Sequence, residues 1–292
     1  MKKAILMASV VLALYSCKKE TDKLSSGATE QTSENPKSAN KIVTLSGGIT
    51  EIVSALGHES EIVGTDVTST YPETLKTTTK DLGHVRSMTI EPIMALSPTL
   101  ILASDKDLNP ELLNKIKSSG IKAELLTQEF SVEGTKKLIE QVAKAVGNTD
   151  YQKLNDKIDA DMKQVQSLAK KPKVLFIYAR GNNLMVAGKN TPMEKLITLA
   201  GGENAINEFD DFKPLTPEAV VKANPDILFL FKSGLMGAGG NEAVLKMPGV
   251  AQTNAGKNKK VISMDGGLAS SFGPRLGEAV VELNKLLIEN TK

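Results

Sequence analysis

The sequence has few of the side chains on which disulfides and metal centres depend. It contains one cysteine and two histidines among 292 residues, and it has no tryptophan. A single cysteine cannot form an internal disulfide, and two histidines are too few for most zinc enzymes. The GxSxG, HExxH, P-loop and GxGxxG patterns are also missing from the sequence. These absences argue against the enzyme classes that such patterns mark.

Positive and negative charges are nearly balanced. The 36 Lys and Arg residues exceed the 34 Asp and Glu residues by two. Two of these cations are Lys2 and Lys3, so the chain becomes about neutral once its first sixteen residues are removed. A neutral chain has no basic surface field to attract nucleic acid, and we expect no nucleic-acid partner.

The long apolar run of the chain lies at its N-terminus. Lys2 and Lys3 precede the apolar stretch Ala4–Leu14, and the single cysteine, Cys17, follows it almost directly. The stretch is too short to span a bilayer, and this order is typical of a bacterial lipoprotein signal. We therefore predict a signal peptide over 1–16 and lipidation of Cys17. An ordinary secretory peptide and a buried core cysteine are the alternatives.

The segment 17–40 after the signal is polar and rich in Ser, Thr, Glu and Lys. Such a composition cannot bury enough apolar surface to fold, and it predicts a flexible tether behind the lipidated cysteine. We therefore expect an exported protein that is anchored by lipid at a bacterial cell-envelope membrane and faces the periplasm.

From residue 41 onward, short apolar strands alternate with helical patterns. This alternation predicts parallel, doubly wound sheets. The helix, turn and strand of IEPIMALSPTLILAS return later as LTPEAVVKANPDILFLF, and a stretch without Gly or Pro lies between the two halves. We predict an α/β fold with two similar lobes, 41–149 and 172–292, joined by one long helix over 150–171. The ligand cleft is expected between the lobes.

Four segments of the chain carry a family resemblance: KIVTLSGGITEIVSALGHESEIVGTDVTSTYPE, MVAGKNTPMEKLITLAGGENA, FKPLTPEAVVKANPDILFL and KMPGVAQTNAGKNKKVISMDGGLASSFGPR. They resemble the helical-backbone class of periplasmic binding proteins, which serve ABC importers of metal chelates, cobalamin and siderophores. TSTYP and the stretch from MDG to FGPR are most similar to the haemin-binding branch. The resemblance covers nearly all of 41–289. It implies a binding protein, not an enzyme, that captures haemin and delivers it to an ABC permease dimer with its ATPase.

The resemblance also implies an iron ligand. In the haemin-binding branch a tyrosine of the TS-YP loop coordinates ferric haem, and the matching residue here is Tyr71. A phenolate is an anionic oxygen donor suited to Fe(III), and tyrosine is an established axial haem ligand. Pro72 restricts Tyr71 to extended conformations, which projects its ring from the loop. Haem would then be the transported ligand. From the residues alone, Tyr71 could equally be a half-buried aromatic residue of a loop.

Further ligand contacts follow from the same resemblance. His84 stands where related haemin binders have tyrosine, and it is a candidate porphyrin contact or ligand of a second haem, or a histidine at the cleft rim. Arg86 is a candidate partner of a haem propionate, because guanidinium binds carboxylates in a fork; a structural salt bridge is the alternative. Methionines of the second lobe would form an apolar, polarisable wall against a porphyrin face, and the alternative is that they are core residues. The second-lobe candidates are Arg180, Met185, Met193 and Arg275.

Two glutamates are expected to dock the permease. In the wider class one glutamate at the tip of each lobe meets arginines of the two permease subunits, and Glu51 and Glu218 match those positions. Carboxylates on separate lobes suit a two-point docking surface, where rim charges set register and encounter rate. Each would also be favourable in the first turn of a helix for the helix dipole alone.

Other ligands remain open at this point. A ferric siderophore or cobalamin would also suit the wider class, although the low aromatic content of 4% weakens the siderophore alternative. A surface lipoprotein that scavenges haem is the more distant alternative.

Overall fold

The computed structural model describes residues 40–181 and 183–291. The predicted signal peptide, Cys17 and all but the last residue of the predicted tether therefore lie outside the described residues. Within the described ranges, none of the helices combines the length and the apolar character needed to cross a bilayer.

The first half of the described chain contains a parallel five-stranded sheet. Its strands are β1 (Ile42–Leu45), β2 (Ile62–Thr65), β3 (Lys80–Asp81), β4 (Leu100–Ser104) and β5 (Lys122–Leu126). Their order across the sheet is β3-β2-β1-β4-β5. Every residue of β1 and β4 is buried, as expected for parallel strands that are covered on both faces.

The second half contains a mixed six-stranded sheet. Its strands are β6 (Lys173–Arg180), β7 (Asn183–Ala187), β8 (Glu203–Asn204), β9 (Phe212–Pro214), β10 (Ile227–Phe231) and β11 (Val261–Met264). The order is β11-β10-β6-β7-β9, and β8 pairs with β6. β7 runs antiparallel to β6 and β9, in contrast to the predicted parallel arrangement. The reason is chain length, because β7 follows β6 almost directly and a parallel crossover needs a dozen or more residues.

Helices pack on both sides of each sheet. Along β1, Ile42 belongs to one apolar cluster, whereas Val43 and Leu45 belong to another. Along β10, Phe229 and Leu230 are divided in the same way. Alternate side chains of a strand point to opposite faces, so each sheet has two cores. The predicted α/β fold with two doubly wound lobes is therefore confirmed.

Most helices of the model are short. They are α1 (Gly47–Val53), α2 (Leu75–Thr78), α3 (Glu91–Ala95), α4 (Pro110–Ser118), α5 (Val132–Val146), α6 (Gln152–Met162), α7 (Pro192–Leu199), α8 (Pro217–Ala223), α9 (Lys232–Gly237), α10 (Asn241–Leu245), α11 (Asn254–Lys257), α12 (Gly266–Ser270) and α13 (Leu276–Thr291). A π-helical turn (Ser54–His58) and two 3₁₀ turns (Glu59–Glu61 and Val250–Gln252) complete the list.

The connection between the lobes differs from the predicted helix over 150–171. The helix is only α6, which ends at Met162, and the chain from there to β6 is not helical. Asn284 of α13 accepts a hydrogen bond from the Gln166 backbone N–H at 3.0 Å and donates one to the Gln166 carbonyl oxygen at 2.9 Å. These bonds replace those that Gln166 would make inside a helix. A partner 118 residues away therefore ends the helical stretch early.

Replacing Asn284 by alanine should loosen this connection and destabilise the fold. Asn284 is 1% exposed, and its amide also donates to the Ala200 carbonyl oxygen at 3.0 Å. Loss of these bonds leaves buried backbone groups without partners, which should lower the free energy of unfolding by roughly 2–4 kcal/mol. Urea denaturation would measure the change. Asn290→Ala is the matched control, because the Asn290 amide bonds only to the Leu286 carbonyl of its own helix. Equal stability of the two variants would contradict the assignment.

Candidate functional site

Two glycines lie where the lobes contact each other. A Cβ atom on Gly48 would lie 2.3 Å from the Ser271 carbonyl oxygen, and one on Gly267 would lie 2.2 Å from Thr70 Oγ1. Gln128 Nε2 donates to the same Ser271 oxygen at 2.9 Å. Glycine is required by space at position 48, because a side chain there would meet backbone of the other lobe, whereas a side chain at position 267 would first displace the Thr70 hydroxyl.

Two adjoining cavities open beside this contact. Their volumes are about 220 and 400 Å³, and Asp107, Gln128 and Phe130 line both of them. Together they fall in the range of roughly 300–1,000 Å³ that is usual for small-molecule sites. Phe130 also packs edge-on against Phe272 of the second lobe, with ring centroids 5.2 Å apart. The cleft therefore lies between the lobes, as predicted.

A network of hydroxyl groups around the buried Asp66 supports the loop that carries Tyr71. The carboxylate of Asp66 accepts hydrogen bonds from the Thr68 backbone N–H at 3.1 Å, from Thr68 Oγ1 at 2.6 Å and from Ser69 Oγ at 2.7 Å. Ser69 Oγ lies 2.6 Å from Thr50 Oγ1 of α1. Burial raises the pKa of the Asp66 carboxyl, although these donors oppose the rise. Thr68 and Ser69 of the loop thus bond to Asp66, and Ser69 also bonds to α1 of the first lobe.

Tyr71 stands at the end of this loop, next to a charged pair from both lobes. Its side chain is 44% exposed, and the guanidinium carbon of Arg275 lies 3.7 Å from the centre of its ring. The same guanidinium donates through Nε and Nη2 to Glu51, at 2.9 and 2.6 Å. A cation over an aromatic face and a forked Arg–Glu pair are both favourable contacts. The structure brings Tyr71, Arg275 and Glu51 together.

This arrangement bears on two expectations. Glu51 was expected to dock the permease from the lobe tip, but it is 4% exposed and bound to Arg275 inside the molecule. Arg275 was expected to contact the ligand; its Nε and Nη2 donate to Glu51, and its guanidinium lies over the ring of Tyr71. Burial raises the pKa of the Glu51 carboxyl, and Arg275 offsets part of that rise. The docking role of Glu51 is therefore wrong, whereas the ligand contact of Arg275 stays a prediction.

The predicted residues His84 and Arg86 lie at the cleft. Both are exposed, and both line the cavity of about 220 Å³ together with Asp66 and Gln128. His84 Nδ1 accepts a hydrogen bond from the Arg86 backbone N–H at 3.2 Å, so a ligand would meet Nε2. Tyr71 lines neither this cavity nor its neighbour. Of the predicted contacts in the first lobe, His84 and Arg86 therefore line a cavity of the cleft, whereas Tyr71 lies outside both cavities.

The other second-lobe candidates, two on the β6–β7 hairpin and one on α7, differ in how exposed they are. Arg180 is exposed at the end of β6, and Met185 is half-buried on β7, opposite Tyr178. Met193 is 1% exposed inside the core of the second lobe, so its predicted ligand contact is wrong. Its spacing to Leu196 and Ile197 is the signal that identifies it as a core residue, because these positions share one helical face.

An exposed glutamate of the first lobe was missed by the sequence analysis. Glu218 is exposed in the first turn of α8, as expected for a docking residue. Glu91 occupies the same place in α3 and its side chain is 68% exposed. Glu91 and Glu218 are 127 residues apart, as are Ser97 and Asn224, which both have a positive φ. The internal repeat IEPIMALSP/LTPEAVVKANP was therefore the signal that points to Glu91 rather than Glu51.

Comparison with known proteins identifies the class to which this architecture belongs. Residues 42–267 match the model of the family described as periplasmic binding protein. The chain belongs to this family. The periplasmic heme-binding protein RhuT of Roseiflexus sp. RS-1, solved in apo form, is 34% identical, and the match covers 87% of this chain and all of RhuT with a TM-score of 0.82.

Two curated relatives extend this comparison. The ABC transporter substrate-binding lipoprotein YvrC of Bacillus subtilis is 29% identical over 99% of this chain and 96% of its own length. A vitamin B12-binding protein of Vibrio campbellii is 27% identical over 69% of this chain and 74% of its own length. The chain is therefore a substrate-binding protein of the ABC-importer class, and the lipoprotein relative supports export and membrane anchoring.

Replacing Arg275 by glutamine should destabilise this binding protein in a pH-dependent way. Without the guanidinium the burial of Glu51 loses its main opposing influence, so the pKa of this carboxyl rises further above its ordinary value of 4.5. A carboxyl whose pKa is raised by folding binds more protons in the folded chain than in the unfolded chain, so stability falls as the pH rises above 4.5. We expect a loss of roughly 3–5 kcal/mol near neutral pH and a smaller loss in acid, measured by urea denaturation.

The control for this experiment is the double variant Glu51→Gln/Arg275→Gln. It has no carboxylate at position 51, and the extra pH dependence of Arg275→Gln should therefore disappear. An Arg275→Gln deficit of the same size at acid and neutral pH would contradict an ionised Glu51 in the folded protein.

Proposed function

We propose that this protein captures haemin between its lobes and delivers it to an ABC importer of the inner membrane, with Tyr71 as the axial iron ligand. The observation that carries the proposal is the position of Tyr71, which is exposed and faces the guanidinium of Arg275. The likeness to RhuT supports the same ligand. Haemin is a ferric, planar and anionic cargo, and these residues suit each of those properties.

The charges around Tyr71 favour a phenolate bound to ferric iron. A ligated phenolate carries negative charge, and Arg275 places a cation against its ring. Glu51 fixes the guanidinium from the other side through two hydrogen bonds. The iron would therefore meet a ligand whose orientation and charge are set in advance by residues of both lobes.

The other predicted contact residues have complementary roles in this proposal. The exposed guanidinium groups of Arg86 and Arg180 would pair with propionates, for which their fork geometry is suited. His84 Nε2 would contact the porphyrin or a second haem, and Met185 would contribute apolar wall. These roles divide the cleft between a part that binds iron and a part that binds the carboxylate edge.

The same proposal includes a lipid anchor on Cys17 and delivery to a permease dimer with its ATPase. The tether of residues 18–40 would span at most about 80 Å when fully extended. This reach allows the two lobes to approach a permease while the lipid stays in the membrane. We propose that the tether is followed by two lobes, 41–149 and 172–292, with the connection 150–171 between them.

We propose that docking uses Glu91 and Glu218. The two carboxylates are exposed at equivalent places of the repeat, so a permease dimer would meet one on each lobe. Glu91 lies 3.7 Å from Lys115, a surface pair that water screens and a stronger partner would displace. Two separated surface charges set register and encounter rate without taking part in ligand binding.

Cobalamin is the competing ligand because of the vitamin B12-binding relative. The haemin proposal is favoured by the higher identity and larger coverage of RhuT. Tyr71 and its cation add a reason from chemistry, since a ferric ion gains most from an anionic oxygen ligand. Cyanocobalamin is therefore the comparison ligand in the experiments that follow.

Replacing Tyr71 by phenylalanine should remove the iron ligand and leave the rest of the site. Phenylalanine retains the ring that stacks on Arg275 and lacks only the oxygen. Haemin titrated into residues 18–292 should give a ferric-phenolate charge-transfer band in the parent protein and none in Tyr71→Phe. We expect haemin affinity to fall by about a hundredfold or more, since even outer-shell changes cost 10–100-fold.

The control for this titration is Tyr151→Phe, which removes a phenol oxygen at the start of α6, away from the cleft. Its spectrum and affinity should match those of the parent. An unchanged spectrum in Tyr71→Phe would exclude Tyr71 as the ligand, and saturable binding of cyanocobalamin instead of haemin would overturn the proposed cargo.

The double variant Glu91→Arg/Glu218→Arg should abolish haemin uptake by cells while haemin binding in solution stays normal. Reversed charges would repel the cations of the permease without reaching the cleft. Glu133→Arg is the matched control, because Glu133 is an exposed glutamate in the first turn of α5. Loss of haemin binding in the double variant, or normal uptake, would show that the docking residues are misassigned.

A further inference from the structure

Large apolar side chains are exposed at very few positions of the described residues. Val67 and Tyr71 belong to the loop beside the cleft, and Met236 lies on α9. The other two, Met94 on α3 and Val221 on α8, are 40% and 41% exposed. Neither of these two lines a cavity of the cleft. They therefore need a different explanation from ligand binding.

Met94 and Val221 occupy equivalent places in the two lobes. They are 127 residues apart, which is the same separation as between Glu91 and Glu218. Each apolar residue follows its glutamate by three positions, so the two side chains lie on one face of a helix. The preceding residues of the repeat, Ile93 and Val220, are both fully buried. The core thus fixes both helices with the same face turned to solvent.

The backbone that follows is equivalent as well. Ser97 and Asn224 have φ values of 49° and 40°, and each precedes a proline that leads into a buried strand. Serine rarely adopts this left-handed conformation, so its presence at Ser97 indicates that the turn geometry is imposed on both lobes. The match therefore extends from the helix through the turn to the start of the strand, and the acidic and apolar side chains occupy the same places in both copies.

We propose that Met94 and Val221 form a second pair of docking contacts, which bind apolar pockets of a two-fold symmetric membrane permease next to the cations that receive Glu91 and Glu218. A partner with two equivalent subunits needs two equivalent surfaces, and the repeat supplies them. An isolated exposed apolar residue is ordinary, whereas two at equivalent places beside equivalent charges match a partner of this chemistry. The carboxylates set register and the apolar contacts add affinity.

This inference rests on the proposed function for the identity of the partner, but it does not depend on the cargo. Its test places the photo-crosslinker p-benzoylphenylalanine at position 94 or 221 of the full chain in its own host. Both positions should form adducts with the same membrane-spanning polypeptide. The control position is Lys137, which is exposed on α5 and outside the repeat. In Met94→Ala and Val221→Ala, uptake affinity should fall roughly tenfold each, and the two losses should multiply in the double variant because the sites are independent.

The outcomes separate this inference from the proposed function. Adducts at both positions with one membrane polypeptide, together with multiplying losses and an unchanged melting temperature, would support it. Adducts at only one position, with two different polypeptides, or equally at Lys137 would overturn it. Haemin titration tests the cargo independently, since neither substitution lies in the cleft. A protein that fails to bind haemin and still forms both adducts would refute the cargo and support the docking pair.

Discussion

The ion pair between Glu51 and Arg275 is the interaction on which the site depends. Its partners are 224 residues apart, one in α1 of the first lobe and the other immediately before α13 of the second. Glu51 is almost fully buried, so an ionised carboxylate there needs its partner. The relative position of the lobes is therefore linked to the protection of one charge. Because Arg275 also covers the ring of Tyr71, the same constraint orients the proposed iron ligand.

The two glycines at the lobe contact make this ion pair possible. Gly48 lies three residues before Glu51, and Gly267 lies eight residues before Arg275. Gly48 allows the Ser271 backbone of the second lobe to approach at a distance that a Cβ atom would forbid, and Gly267 makes room for the Thr70 hydroxyl of the first lobe. The close approach excludes water from the space around the pair, which strengthens its attraction and raises the cost of losing either partner. Small residues and a buried charge thus act together at one contact.

The sequence predicted what local pattern determines and missed what distant contacts determine. The buried strands, the TSTYP loop and the internal repeat depend on neighbours in the chain, and these predictions agree with the structure. The connecting helix was predicted too long, because Asn284 captures Gln166 from another element. Glu51 was misread for a related reason. A glutamate in a helix has the same local pattern whether it meets solvent or a buried arginine, and only the tertiary fold distinguishes the two. The error at Met193 was different, since its helical spacing to Leu196 and Ile197 was already visible in the sequence.

The two lobes are similar where they face outward and dissimilar where they face each other. α3 and α8 present the same sequence of exposed acid, buried apolar residue and exposed apolar residue, followed by the same left-handed turn. Beside the cleft, by contrast, one lobe supplies Tyr71 and Glu51 and the other supplies Arg275. A ligand with one iron and one carboxylate edge has no need of two equal walls, whereas a partner made of two equal subunits requires two equal surfaces. The symmetry of the outer helices and the asymmetry of the cleft therefore have separate causes, and each can be altered without the other.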